Sequence, residues 1–337
     1  MSDKLNIGII GAGRISRVHT PLLAQRVPRA RVKKLCDLDL DKAHALGDPL
    51  GLPVCQDYRE IIHDPEIDAV FILSSTNTHV PMALEAAKAG KHIFCEKPID
   101  HDADEIRRVI SAVEQAGVKF QVGFNRRFDR HFAQVKKSVD EGLVGEVQII
   151  KITSRDPQAP PMSYVETSGG IFADMSIHDF DMVQFLSGAQ VVEVSVLGAC
   201  LINPAFAQAG DVDTCVISLR LDSGALAVID NSRQAVYGYD QRLEVFGSKG
   251  CVTADNQRVD NTSFLNADTS TQEKPLWFFL ERYADAFLYE DISFVDACLD
   301  DRPTLIGVKG GLTPILIADA AQKSCQAGGI PVRVASE

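Results

Sequence analysis

The feature that most constrains this chain is its start. The apolar, β-branched run Leu5-Asn6-Ile7-Gly8-Ile9-Ile10 leads into Gly11-Ala12-Gly13-Arg14-Ile15-Ser16 and then into an amphipathic stretch. A strand that turns through G-x-G into a helix is the first βα unit of a parallel sheet that binds a dinucleotide. The first glycine permits the tight turn and the second lets backbone approach a pyrophosphate. The helix N-terminus behind them, at Arg14 and Ile15, offers free N–H groups and a partial positive charge. Ser16 stands where the fingerprint has its third glycine, and it is small enough for close helix–strand packing. G-x-G alone is a weak signal, because a tight βα turn needs glycine whether or not it binds anything. Asp37 strengthens it. This acid closes the next apolar run, residues 30–36, where the fingerprint wants a carboxylate for the adenosine ribose hydroxyls. Leu38 and Asp39 follow rather than Arg or Lys. A 2′-phosphate would meet negative charge there, so NAD is expected over NADP.

Through residue 125, short strands alternate with helices, the rhythm of an α/β doubly wound parallel sheet. Strands are expected at 5–10, 30–36, 68–73, 92–95 and 119–123, and helices at 15–26, 41–46, 81–89 and 103–116. Ligands of such sheets sit beyond the strand C-terminal ends. Two further strand ends therefore join the candidate cofactor site: Ser74, Thr76, Asn77 and His79 after the third, and Glu96 and Lys97 after the fourth. From about residue 145 the pattern becomes strands at 147–154, 191–201, 215–221, 225–230 and 243–246, joined by turns such as Asp222-Ser223-Gly224. Helices are expected at 171–186, 276–299 and 307–326. The plan is an NAD-binding domain over 1–125 and an α+β domain with an open, largely antiparallel sheet over 126–337. The polar stretch 255–274 reads as a mobile loop.

Composition removes other function classes. With 337 residues, 45% of them apolar, the chain is long enough for two cored domains. Its 46 Asp and Glu against 34 Lys and Arg give a net charge of −12, which disfavours nucleic acid as the main partner. No apolar run approaches the length of a membrane span, and the start carries no signal-peptide pattern. The eight cysteines form no C-x-x-C pair and no zinc spacing with histidine, so no metal is expected. They read as buried or half-buried thiols in a reducing cytoplasm.

Seven of the eight histidines lie in polar stretches or at the starts of helices and strands. His178 differs. Gly169-Gly170 precedes a helix in which Asp174 and His178 are spaced i, i+4 and share a face, with Asp181 three residues further on. Such a carboxylate orients an imidazole and stabilises its protonated form, as a general base requires. On a solvated helix this pair is more often structural than catalytic. Its place after a diglycine, in a chain with a nucleotide site, gives it weight.

Together, the glycine turn, Glu96-Lys97-Pro98, Gly169-Gly170, the Asp174/His178 helix and Phe294-Val295-Asp296-Ala297-Cys298 resemble the glucose–fructose oxidoreductase/inositol dehydrogenase (Gfo/Idh/MocA) family along nearly the whole chain. The stretches 123–129, 154–157 and 237–242 are most similar to its inositol 2-dehydrogenase branch. The resemblance implies a Rossmann domain and NAD-dependent oxidation of a cyclic polyol, myo-inositol above all, to the 2-keto product. Lys97 would bond the reacting hydroxyl, and His178, assisted by Asp174, would take its proton. Arg127, Asp156 and Tyr237 would be secondary contacts to the other ring hydroxyls, and the Glu96 backbone would shape the nicotinamide end; Asn125 is a further donor and acceptor suited to a polyol. It also implies association through the open sheet, as a homotetramer. Kept beside this are the same chemistry on another inositol isomer, an aldose or a sugar derivative, an NAD-retaining lyase or glycosidase, and a non-catalytic NAD sensor.

Overall fold

The computed structural model describes residues 4–336. Met1, Ser2, Asp3 and Glu337 lie outside the described residues, and with them part of the stretch on which the signal-peptide expectation rests. The chain forms two compact units, one reaching to Phe128 and joined by Asp285–Ile315, the other comprising Asp129–Ala284 and the chain from Leu316. A single cut at 125 therefore misplaces one segment: Asp285–Ile315 returns to the first unit rather than staying in the second.

The first unit holds β1 (Leu5–Ile10), β2 (Ala30–Cys36), β3 (Val54–Cys55), β4 (Ala69–Ile72), β5 (His92–Glu96) and β6 (Phe120–Gly123). They pair in the order β3-β2-β1-β4-β5-β6, all parallel. The order reverses between β1 and β4, which is where an open α/β sheet leaves its ligand crevice. Every residue of β4 and β6 is buried, as expected of strands covered on both faces. The two-residue β3 carries too little pattern to be read from sequence. The helix Ala103–Ala116 begins where Asp102 accepts the Asp104 N–H at 2.8 Å and ends at Gly117, whose φ of 65° only glycine adopts freely.

The returning segment has a clear physical reason. The helix Ala284–Leu299 buries Leu288, Phe294 and Val295 in the same core as Ile7, Ile9, Leu35, Phe71 and Phe94. Phe294 sits edge-on to both Phe71 and Phe94, with ring centroids 5.3 and 5.8 Å away. Arg29 pins the same helix end through Asp296 and Asp300, each at 2.7 Å.

The second unit is built on β7 (Val147–Arg155), β8 (Val191–Ala199), β9 (Thr214–Leu221), β10 (Leu226–Ser232), β11 (Asp240–Gly247) and β12 (Cys251–Ala254). A short hairpin follows, β13 (Ser263–Leu265) with β14 (Ser270–Gln272), and β15 (Val332–Arg333) closes the chain. The main sheet runs β12-β11-β7-β10-β9-β8-β15, antiparallel throughout except for β7 beside β10. Along β9, Cys215, Ile217, Leu219 and Leu221 are buried while Val216, Ser218 and Arg220 face out. This is the alternation of a sheet covered on one side.

Several local expectations need correction. Residues 255–274 contain the β13–β14 hairpin rather than only a mobile loop. The helix Arg130–Asp140, unread in the sequence, starts where Asp129 accepts the His131 and Phe132 N–H groups at 3.1 Å. The helix expected over 276–299 is broken at Tyr283, whose buried hydroxyl donates to Gln241 Oε1 at 3.2 Å. Cys251 is exposed, against the expectation of buried or half-buried thiols; among the described residues the others are buried or intermediate.

Candidate active site

The cofactor end begins at the β1 turn. Gly11 has a φ of 106°, and a Cβ there would lie 2.7 Å from the Leu73 carbonyl oxygen at the end of β4. This glycine is required by the fold itself. Gly13 is not: its φ is unexceptional and a Cβ would have nothing within 4 Å. The open space above it is a cradle that a side chain would fill, as the pyrophosphate reading needs. The helix Ser16–Gln25 behind it has no side-chain cap; its Arg17, Val18 and His19 N–H groups bond the Gly13 and Ile15 carbonyls of the turn. Ser16 is fully buried, with Oγ 3.0 Å from Thr20 Oγ1, so it does the packing work of the missing third glycine.

Asp37 Oδ2 accepts the Ala12 N–H at 2.6 Å, which ties the end of β2 to the glycine turn. The helix Leu40–Gly47 is capped by Asp39, so Asp37 is not a cap. Leu38 is 80% exposed, and Asp39 follows it, its carboxylate paired with Lys42 at 3.0 Å. This donor and acceptor set fits NAD.

Beyond β4, Ser74 Oγ lies 2.6 Å from Thr78 Oγ1, and Thr76, Asn77 and Thr78 form one 3₁₀ turn with no side-chain cap on it or on the helix that follows. Capping therefore does not explain these polar residues. His79 requires a correction. It is 1% exposed, with Nδ1 2.8 Å from the Pro98 carbonyl and Nε2 3.1 Å from the Ser74 carbonyl. Burial pushes it below the ordinary histidine value, the two carbonyls pulling the other way. Both ring nitrogens face backbone carbonyls, so the ring braces the β4 loop against Pro98. Glu96 is buried at the end of β5, and its Oε2 accepts the Lys97 N–H at 3.2 Å. Lys97, Arg127 and the buried Asn125 complete the expected residues of this unit.

In the second unit, Gly169 and Gly170 have φ of 81° and 78°. A Cβ on Gly170 would come within 3.0 Å of Asp211 Oδ1, which accepts the Ile171 N–H at 3.0 Å. The diglycine thus lets Asp211 close over the helix start. The helix opens as a π turn, Phe172–Ser176, and becomes an α-helix over Ile177–Ser187. Asp174 lies in the π turn and His178 in the first α turn. Such turns recur at functional sites. Asn231 of β10 holds both sides of the junction: Oδ1 accepts the Ser176 hydroxyl, and Nδ2 donates to Asp179 Oδ2 at 2.9 Å. His178 is half-buried, with Nδ1 inside the protein. Asp181 is buried.

Asp174 accepts the Tyr164 hydroxyl at 2.8 Å on one oxygen and Arg233 Nη1 at 2.9 Å on the other. Arg233 is 2% exposed and also lies 3.8 Å from Asp156. One guanidinium thus links the two carboxylates expected near a substrate. Burial pushes Arg233 down, and Asp174 and Asp156 more than restore it, so it remains a cation. Tyr237 is 39% exposed. Its hydroxyl donates to Asp240 and lies 3.1 Å from Arg155 Nη1, so its proton is already committed. Burial and the bond to Asp240 raise its pKa above the ordinary tyrosine value.

Sequence reasoning missed Arg233, Tyr164 and the side chain of Glu96. Arg233 had one legible signal, a cation directly after the strand Leu226–Ser232. Tyr164 had none, because the short helix Met162–Val165 that carries it has no periodic pattern.

Family models match at both ends. Residues 5–124 match an oxidoreductase family described as having an NAD-binding Rossmann fold, and residues 132–253 match the GFO/IDH/MocA C-terminal domain. An uncharacterised oxidoreductase of Bacillus subtilis is 48% identical over 99% of this chain and 98% of its own. The myo-inositol 2-dehydrogenase of Thermotoga maritima is 43% identical over 96% of each chain. The crystal structure of scyllo-inositol dehydrogenase from Lactobacillus casei, with bound NAD(H) and scyllo-inositol, superposes with a TM-score of 0.93. It is 31% identical and covers 99% of this chain and all of that one.

Proposed function

The chain belongs to the Gfo/Idh/MocA oxidoreductase family, and from that premise we propose that it is an NAD-dependent inositol dehydrogenase, oxidising myo-inositol to its 2-keto product. The observation that carries this reading is Asp174, held by two donors one turn ahead of His178 in a chain with an NAD cradle. When bound, NAD supplies the hydride acceptor.

His178 takes the hydroxyl proton, and Asp174 stabilises the imidazolium so formed. Tyr164 and Arg233 keep Asp174 from turning away. Lys97 donates a hydrogen bond to the same hydroxyl and stabilises charge on its oxygen. Asn125, Arg127 and Asp156 read the remaining ring hydroxyls, with the Tyr237 ring and free lone pair as a lesser contact. Gly11, Ala12, Gly13, Arg14 and Ile15 receive the pyrophosphate, Asp37 the ribose, Ser74, Thr76 and Asn77 the crevice wall, and Glu96 with Lys97 the nicotinamide end.

A second substrate, scyllo-inositol, is favoured by the likeness to the Lactobacillus casei enzyme. Oxidation of its equatorial hydroxyl gives the ketone that the axial hydroxyl of myo-inositol gives, so the same base and lysine serve both. Mixing the protein with NAD and myo-, scyllo- and D-chiro-inositol, glucose, galactose or xylose, and following NADH absorbance, tests the reading. Fast reduction with myo-inositol supports it. Activity on an aldose alone moves the substrate, and silence on all of them with tight NAD binding favours a lyase, a glycosidase or a sensor.

We read the protein as a homotetramer joined through the main sheet of the second unit. Val216, Val228 and Phe246, on β9, β10 and β11, are 48%, 39% and 42% exposed, a patch suited to association. Sedimentation equilibrium tests this, and a monomer would overturn it. A cytoplasmic setting is supported by the free thiols. No helix among the described residues is long and apolar enough to cross a membrane.

A further inference from the structure

Below the end of β5, three ionisable side chains meet inside the first unit. His19 is fully buried, with Nδ1 2.7 Å from Asp291 Oδ1 and Nε2 3.2 Å from Glu96 Oε1. Asp291 has no exposed surface and Glu96 is 8% exposed. The rings of Phe71, Phe94 and Phe287 surround the imidazole, with centroids 6.2, 5.2 and 5.4 Å away. Glu96 in turn accepts the Lys97 N–H, and it pairs in register with Gly123 of β6. A Cβ on Gly123 would come within 2.9 Å of the Glu96 carboxylate. The neighbouring strand thus carries glycine where this carboxylate lies.

A neutral imidazole has one N–H and one lone pair, so it can satisfy one carboxylate but not two. With a carboxylate at each ring nitrogen, both nitrogens donate. Burial pushes His19 down, yet Asp291 and then Glu96 raise its pKa well above the ordinary value. Burial pushes Asp291 up, offset in part by His19. Nearby on the packed elements are Glu290, also buried, Cys95, whose thiol burial raises, and Lys97 one residue along β5. Apolar side chains of similar size would hold a fold at least as well as a buried ionic triad. Stability is therefore a poor reason for this one, and its place beside Lys97 suggests another.

We infer that Asp291 and His19 are positioning residues for polyol oxidation: their charged line fixes the Glu96 carboxylate, which holds the Lys97 peptide and so sets where the lysine side chain begins. This rests on the reading of Lys97 as the group that bonds the reacting hydroxyl. Neither His19 nor Asp291 touches substrate in this scheme.

Asp291→Asn keeps the shape and removes one of the two charges that hold the His19 proton. The imidazolium of the variant persists at low pH and is lost as pH rises through its lowered pKa, and the hold on Glu96 weakens with it. The ratio of variant to wild-type kcat with myo-inositol is expected near one at pH 6 and about ten-fold lower at pH 9, with the NAD Kd unchanged. A ratio that does not vary with pH overturns the positioning role while leaving the inositol reading intact. A wild type that oxidises no polyol sinks that reading, and the positioning role with it. The unaltered apoprotein gives an independent readout, needed if Asp291→Asn does not fold. Nitrogen-15 NMR of histidine-labelled protein should show both His19 ring nitrogens protonated from pH 6 to 9. A neutral ring there overturns the proposal.

Discussion

Gly11 and Gly13 are two residues apart in the same turn, yet the structure gives them opposite reasons to be glycine, and alanine separates them. At Gly11, alanine must adopt a φ of 106° with its Cβ 2.7–2.9 Å from backbone atoms of Leu73 and Ser74. The dihedral alone costs about 1–3 kcal/mol, and the contact adds to it because backbone cannot swing aside. At Gly13 there is no clash and no positive φ. Alanine there should leave the apoprotein unchanged or more stable by about 0.4–1 kcal/mol, through a less flexible unfolded chain. What it should damage is the cradle: a methyl group in the pyrophosphate space is expected to weaken NAD by ten- to a hundred-fold, about 1.4–2.8 kcal/mol. Urea denaturation of the cofactor-free variants and calorimetric titration with NAD measure the two quantities separately. If Gly13→Ala loses stability as Gly11→Ala does, or binds NAD normally, then the second glycine belongs to the turn and not to a ligand.

Lys97→Ala and His178→Ala should each cut turnover with myo-inositol by orders of magnitude while NAD affinity stays nearly intact; near-normal turnover in steady-state assays would remove their assigned roles. Asp37→Ser should weaken NAD and relax the bias against NADP, and unchanged kcat/KM ratios for the two cofactors would refute the ribose assignment. Arg233→Met leaves Asp174 and Asp156 without their shared cation and should cost about 3–5 kcal/mol, read as a lower urea midpoint at constant slope. Asp213 is buried, which raises its pKa, but N–H groups of Asn203, Leu201 and Ile202 and the Thr214 hydroxyl lower it below the ordinary carboxylate value. Its contribution is full above that ordinary value and vanishes as pH falls through the lowered one. Asp213→Asn should therefore flatten the acid limb of the stability curve, and an unchanged limb would contradict the assignment.

What could be read from sequence was local or periodic. The β1 turn, Asp37 and the helix of His178 carry their signals within a few residues, and the alternation along β9 announces a half-covered sheet. The three-residue strands β13 and β14 carry no period, so residues 255–274 read as loop. His19 looked ordinary because the carboxylate that gives it a purpose, Asp291, lies 272 residues away. Arg233 meets Asp174 only across β10 and the helix start. His79 was misassigned for a related reason: a histidine after a strand end suits a ligand, and only the Pro98 carbonyl shows that its ring is enclosed.

The return of Asp285–Ile315 to the first unit also bears on how the protein is made. A ribosome adds about 5–20 residues per second, so completing the intervening Asp129–Ala284 takes roughly 8–30 s. During that interval the nascent first unit lacks Leu288, Phe294 and Val295, and the side of its core around Phe71 and Phe94 that they seal is open. The emerging chain is then a client for chaperones that bind exposed aromatic surface. A gene truncated after Phe128 would yield not a small cofactor-binding module but an unsealed sheet prone to aggregate.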